Sequence, residues 1–356
     1  MSFMARNYAF WPACFVCTFA GMRVVKKILL IRFSSIGDIV LTSPVVRCIK
    51  NQLPDVELHV LTKKQNHLLF SNNPHVNKLH LLDKSLAEVM KALKSERFDF
   101  VADLHNNLRS HRVRKALCIP SAGFPKLNLK KYLLVRFKWN MMPDLHVVDR
   151  YFEAVKPLGV VNDAQGLEFY SGDTVLPANA PDWIGKPFVA VVIGGQHTTK
   201  ILPAPKVAEV IKKLDIPVAL LGGPSDADRA ESVVNHVDSK TVWNACGRLN
   251  LMESALVIKH SAVVLTNDTG LMHIAAAYRK PVVSVWGNTV PALGMWPYMP
   301  GEESQSVIVE NSALKCRPCS KIGFDRCPKG HFDCMNSLSE AHIADELLRL
   351  VKNFGG

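Results

Sequence analysis

Short, almost wholly apolar runs alternate along this chain with segments whose apolar residues recur every three or four positions. Lys27–Phe33 (KILLIRF), Val56–Leu61, Val76–Leu82 and Asp99–Leu104 have the continuous hydrophobic character of strands covered on both faces. Between the first two, a helix interrupted at Pro44 carries Val46, Ile49 and Leu53 on its core face. Ser85–Lys94 reads as a helix, and another runs from about Val147 to Leu158. A Pro- and Gly-rich stretch at 171–187 ends this series. The alternation then restarts with strands at Val189–Ile193, Val218–Leu221, 262–266 and Val282–Trp286, and helices at Glu253–Lys259 and from Leu271 onward. Strands alternating with helices predict an α/β fold with parallel sheets covered on both faces.

Length turns this pattern into two domains, since 356 residues exceed what one core usually supports. The expected division is a first Rossmann-like domain over 22–172, a linker over 173–187 and a second Rossmann-like domain over 188–356. Residues 1–21 are set aside. Tyr8–Ala20 is apolar but short, broken by Pro12 and preceded by Arg6 alone, so it makes a poor signal peptide. Met22 is the expected true start, with the upstream residues a gene-start artefact. No other stretch reaches transmembrane length.

Composition narrows the partners. With 48% hydrophobic and 21% charged residues, large cores are available and global disorder is excluded. The net charge of +12 favours an anionic partner: a nucleotide, a phosphorylated sugar, nucleic acid or an anionic membrane surface. A solvated basic surface fits the same balance. Nine cysteines, an odd number in scattered positions, suit a reducing cytosol better than a disulfide scaffold. Residues 124–139 interleave cations with aromatic and aliphatic residues; a helix with a snorkelling basic face and a basic lip for an anionic acceptor or membrane are both open readings.

The candidate chemistry lies at strand ends. In Ala262–Ala277 an apolar strand meets Asn267-Asp268-Thr269-Gly270 and then an Ala-rich helix. Asp268 or Thr269 can cap that helix, and its first N–H groups make an anion site that Gly270 lets a phosphate approach. An ordinary capped turn fits the same residues. Ser34–Asp38 puts a carboxylate at the ligand edge of the first strand, where it is a general base or simply a first-turn acid. Lys200 follows a Gly-Gly turn and is a phosphate clamp or a surface lysine. Asp226-Ala-Asp228 has the spacing of a divalent-metal pair but suits a helix start better. Neither G-x-G-x-x-G nor G-x-x-x-x-G-K-[ST] occurs, which argues against a dinucleotide oxidoreductase and a P-loop NTPase. Cys316, Cys319, Cys327 and Cys334, with His331 nearby, form a thiol set suited to structural zinc, to a loop staple or to plain packing.

Taken in order, these segments resemble the ADP-heptose:lipopolysaccharide heptosyltransferases, glycosyltransferase family nine, over nearly all of 23–353. The resemblance is carried by IRFSSIGDIV (31–40), DLHNNLRS (103–110), the Gly-Gly turn with Lys200, LGGPSD (221–226), CGRLNL (246–251), TNDTGLMHIAAA (266–277), VWGNTVP (285–291) and the late cysteines. It implies a GT-B fold, with two Rossmann-like domains facing across a cleft and the last helix (339–353) returning to the first domain. It implies an inverting transferase that needs no cofactor and takes ADP-L-glycero-D-manno-heptose as donor. The acceptor would be an anionic glycolipid of the lipopolysaccharide inner core. The enzyme would work in the cytoplasm, peripheral to the inner membrane, with no nucleic acid partner.

By motif position, Asp38 matches the proposed general base and Lys200 the lysine at the donor phosphates. Thr269, Gly270 and Leu271 match the pyrophosphate-binding amides, with Asp268 beside them and His273 on the same helix. Asp226 falls where the family usually has a ribose-contacting Glu. Lys63, Lys64 and Arg109 fall where acceptor contacts are expected. The same scaffold also suits another donor sugar or acceptor, or a nucleotide-sugar binding protein without catalysis. A third reading makes the late cysteines a metal or redox module.

Overall fold

The computed structural model describes residues 25–237 and 241–355; the readings made for residues 1–21 and Met22, Cys14 and Cys17 included, lie outside them. The first half contains β1 (Lys27–Ile31), α1 (Ile36–Val40), α2 (Ser43–Gln52), β2 (Glu57–Lys63), α3 (Leu68–Ser71), β3 (Lys78–Leu82), α4 (Leu86–Ser95), β4 (Phe100–Asp103), α5 (Leu108–Leu117), β5 (Ser121–Gly123), α6 (Asn128–Phe137) and α7 (Val147–Phe152). The second contains β6 (Val189–Val192), α8 (Ala204–Ile211), β7 (Val218–Leu221), α9 (Ala227–Val234), β8 (Val242–Asn244), α10 (Leu251–His260), β9 (Val263–Asn267), α11 (Gly270–Ala277), β10 (Val282–Trp286), β11 (Ser306–Glu310), α12 (Asp333–Asn336) and α13 (Glu340–Phe354).

Two all-parallel sheets result, in the orders β3-β2-β1-β4-β5 and β11-β10-β9-β6-β7-β8. β1 is central in the first and pairs Ile31 with both Leu61 and Asp103. β9 is central in the second, between β10 and β6. Parallel strands covered on both faces bury nearly every residue, and β4, β6, β7, β9 and β10 are buried throughout. This is the α/β, GT-B architecture expected from the sequence.

The first sheet's larger core does not end with its own residues. It takes in Met252 and Ala255 of α10, Ile274 and Ala276 of α11, and Tyr298 and Met299. The two halves therefore share apolar surface on the flank of α11.

Several expectations change. α13 was to return to the first domain, but Ile343, Ala344, Leu347 and Leu350 instead pack with Val207, Val210 and the β6, β9 and β10 residues of the second sheet. Its amphipathic stripe finds a complete apolar partner there, leaving nothing to drive it across the cleft. The helix expected to reach Leu158 stops at Phe152, and Pro157 sits in a separate 3₁₀ turn, Lys156–Leu158, because it brings no N–H to an α-helix. Pro44 lies instead in the first turn of α2, where a missing N–H costs nothing, so the interrupted helix is two helices. The strands β5, β8 and β11 are short or half-buried and lie at sheet edges, where the apolar signal is weak.

Candidate active site

The N-termini of α1 and α11 meet between the two sheets, and glycine permits it. A Cβ on Gly37 would lie 2.7 Å from His273 Cδ2 and 3.3 Å from Gly270 Cα; a Cβ on Gly270 would lie 2.8 Å from Ile36 Cγ2. Each half thus presents the loop at a strand's C-terminal end, the ligand edge of an open α/β sheet, to the other half.

Asp38 sits in the first turn of α1. Its Oδ2 accepts from the Ser35 hydroxyl at 2.8 Å and the Ser35 N–H at 3.3 Å. Its Oδ1 lies 2.8 Å from Arg32 Nη2 and accepts from the Tyr151 hydroxyl at 3.4 Å. Burial works against the carboxylate, yet Arg32 and the Ser35 bonds more than offset it and hold its pKa below the ordinary value. The capping role of Asp38 is therefore real, and it leaves an ionised, partly exposed carboxylate facing α11. Arg32 is buried and anchored by Leu104 O, Ser34 O and Tyr151.

Across from it, Thr269 is the N-cap residue of α11 in an extended conformation, but its side chain accepts no capping bond. Neither Thr269 nor Asp268 closes this helix end as the sequence allowed, and the first-turn N–H groups stay available to an anion. Lys200 lies 2.6 Å from Asp268 Oδ2, which also accepts from Thr289 Oγ1 at 2.9 Å. The lysine is aimed by Asn267, which donates to Val192 O and Gly194 O at 3.1 Å each and accepts from Leu202 N at 3.0 Å. His273 is buried, its Nδ1 has no partner among the described residues, and burial pushes its pKa down to about 4 against the pull of Asp268 and Asp38. Asp38, Lys200, Asp268, Thr269, Gly270, Leu271 and His273 accordingly gather around one cleft.

Asp226 does not join them as a free group. Its carboxylate is buried, accepts from Gly223 N at 2.9 Å and pairs with Arg229 at 2.6 Å. Those bonds serve the turn after β7, so neither a ribose contact nor the D-x-D metal pair is supported by its geometry.

The three cations read as acceptor contacts fall into two adjoining depressions at the first sheet's edge. Lys63 and Arg109 line a cavity of about 440 Å³ with Phe33, His105, Asn107 and Arg112. Both also line the second, where Lys64 is held by Asp83 at 2.8 Å. His105 was not singled out from the sequence. Its Nδ1 is buried without a partner among the described residues, and burial, then Arg32 and Lys126, push its pKa to about 4. Arg32, Tyr151 and Asn267 were missed as well. Arg32 left a signal as the single charge inside an apolar run, and Asn267 as the polar residue that breaks the run at 262–266.

Cys316, Cys319 and Cys327 sit in the loop between β11 and α12 and Cys334 in α12, with Cys316 Sγ 4.0 Å from His331 Nε2 and Cys319 Sγ donating to Cys316 O at 3.2 Å. Their donor atoms do not converge to metal-ligand spacing, so the residues as arranged do not fit the zinc expectation. Among the described residues only His59, His80 and Glu96 bring three ligand atoms that close, and Glu96 is already paired with Lys27 and Lys78. The cysteine loop has a visible structural task instead. Thr199 donates to Phe324 O while Phe324 N donates to Thr199 Oγ1, which ties the loop to the turn carrying Lys200.

Two Rossmann-like units facing each other across a cleft form the GT-B architecture. The sequence pattern of glycosyltransferase family 9 (heptosyltransferase) matches residues 86–324. Lipopolysaccharide heptosyltransferase 3 of Escherichia coli K12 is 22% identical over 71% of this chain and 80% of its own length. Lipopolysaccharide heptosyltransferase 1 of Campylobacter coli is 25% identical over 74% and 84%. The solved structure of the E. coli ADP-heptose LPS heptosyltransferase II superposes with a TM-score of 0.66, covering 92% of this chain and 98% of that one at 19% identity. The chain belongs to glycosyltransferase family 9 and is a heptosyltransferase of that family.

Proposed function

We propose that this enzyme transfers a heptosyl group from ADP-L-glycero-D-manno-heptose to the inner core of a lipopolysaccharide, with inversion at the anomeric carbon. The observation that carries the reading is the uncapped start of α11, with Lys200 beside it, facing Asp38 across the cleft. The second unit (188–356) would bind the donor. N–H groups from Thr269 to Leu271 and the Lys200 ammonium stabilise the negative charge that builds on the departing diphosphate. Asp38 takes the proton of the acceptor hydroxyl, whose oxygen bonds to the anomeric carbon as the diphosphate leaves from the opposite side. The first unit (22–172) would hold the acceptor, with Lys63, Lys64 and Arg109 meeting its anionic groups. Such an acceptor is lipid-anchored, so the enzyme would work in peripheral contact with a membrane.

A second reading keeps the chemistry with another donor nucleotide or sugar. It is favoured by Asp226, whose inward pairing with Arg229 leaves it unavailable to a ribose. A donor screen decides between them. Purified protein is tested for binding and for transfer to a Kdo-lipid A acceptor with ADP-heptose, UDP-sugars and GDP-sugars, and the product anomer is assigned by NMR. Preference for a UDP- or GDP-sugar overturns the donor assignment, and a retained anomer overturns the inversion.

A further inference from the structure

Helix α6 and the segment after it expose large apolar side chains in close succession: Leu129 (70% exposed), Tyr132 (57%), Phe137 (49%), Trp139 (62%) and Met141 (55%). Single exposed apolar residues are ordinary, but a contiguous group marks an interaction surface. Here three form a connected aromatic face, Tyr132 to Phe137 at 6.0 Å and Phe137 to Trp139 at 5.5 Å between ring centroids. Only Leu134 of the helix is buried, while Leu129, Tyr132 and Phe137 are turned out to solvent.

Charge indicates what covers this face. Residues 124–139 hold five cations and no carboxylate. Lys130 and Arg136 have no ion-pair partner among the described residues. Lys138 is used locally, donating to Pro318 O at 2.6 Å, which fixes the end of α6 beside the loop that braces the Lys200 turn. Burial, then the charge of Arg150, lowers the pKa of Lys131 to about 8, while the charge of Asp38 pulls the other way. Exposed Trp and Tyr flanked by unpaired cations suit the headgroup layer of an anionic bilayer.

We propose that α6 and the segment to Met141 dock the enzyme on an anionic phospholipid surface and set the mouth of the cleft against it. The inference rests on the reading of a lipid-anchored acceptor and names the surface that meets that lipid.

The test uses the full chain and sedimenting vesicles of phosphatidylethanolamine with phosphatidylglycerol, against vesicles of phosphatidylcholine. Binding to the anionic vesicles is expected, with little to the neutral ones. Leu129→Ser/Tyr132→Ser/Trp139→Ser should lower the partition coefficient at least about tenfold, with an unchanged melting temperature and unchanged transfer to a delipidated, water-soluble acceptor. Lys130→Glu/Arg136→Glu supplies a second arm that leaves the apolar face intact and should weaken binding to the anionic vesicles alone. Equal binding to both vesicle types, or undiminished binding of both variants, overturns the proposal. So does loss of binding with Trp11→Ser/Phe15→Ser in place of the α6 changes. Vesicle binding that depends on α6 supports the surface even where no heptosyl transfer is measured, and that result counts against the enzymatic reading alone.

Discussion

The Arg32 guanidinium lies 2.8 Å from the Asp38 carboxylate, and the two come from opposite ends of one turn between β1 and α1. Arg32 keeps Asp38 ionised below the usual carboxylate range. A depressed folded-state pKa means that the stability it contributes is present above the unfolded value of 3.8 and is lost as pH falls through the folded one. Arg32→Met should raise the Asp38 pKa and move the acidic limb of kcat/KM to higher pH. Arg32→Lys should largely restore the limb. Asp38→Asn should lower kcat on the order of 10²–10⁴-fold while leaving donor binding nearly unchanged. A pH–rate profile with unchanged limbs in Arg32→Met would separate the pair from the chemistry.

Gly37 has no room for a side chain. Gly37→Ala should force α1 off α11, with stability falling by about 1–3 kcal/mol and kcat/KM by tenfold or more. Thermal melting alongside steady-state kinetics checks this, and a variant of full activity would mean the two helices need not meet during turnover.

Lys200→Met removes the cation paired with Asp268, which keeps Thr289 as a donor. A charged hydrogen bond to a diphosphate contributes about 1.5–3 kcal/mol, so donor affinity should fall about ten- to hundredfold. Isothermal titration with ADP alone reads this without the acceptor. Unaltered ADP affinity would remove Lys200 from the site.

Acid should destabilise the protein well above the carboxylate range. Burial is the leading cause that lowers the pKa of His273 and His80 to about 4 and of His146 to about 3. The His146 ring accepts from Val148 N–H through Nδ1 and meets Trp296 O through Nε2, so a second ring proton has no acceptor. The unfolded chain binds these protons near pH 6.5 and the folded chain does not, so stability falls as pH drops from about 6.5 towards 4. Melting temperature followed across pH 8 to 4 should decline from about 6.5. His146→Phe should flatten part of that decline.

The alternation of apolar runs carried the two-sheet architecture because parallel strands must be hydrophobic on both faces. It lost β5, β8 and β11, whose edge positions relax that requirement. The resemblance drew attention to Asp38, Lys200 and the 268–271 turn, and the folded chain gathers them at one cleft. The contacts that aim them were not legible: Asn267 reaches Leu202, 65 positions away, and Tyr151 reaches Asp38 over 113. Such partnerships depend on strand order, which no local window contains. Asp226 shows the opposite case, since the groups that hold it, Gly223 and Arg229, lie only three positions away on either side.

The eight residues of α11 present uncapped N–H groups at one end, while Ile274 and Ala276 lie in the first unit's core. A ligand that pulls on the helix end therefore also works on the seam between the two halves. By reciprocity, whatever tightens that seam must tighten the grip on the ligand by the same factor. Substitutions on the flank of α11, at Ile274 or opposite it at Met252, are thus a route to altering nucleotide affinity without touching a residue that meets the nucleotide.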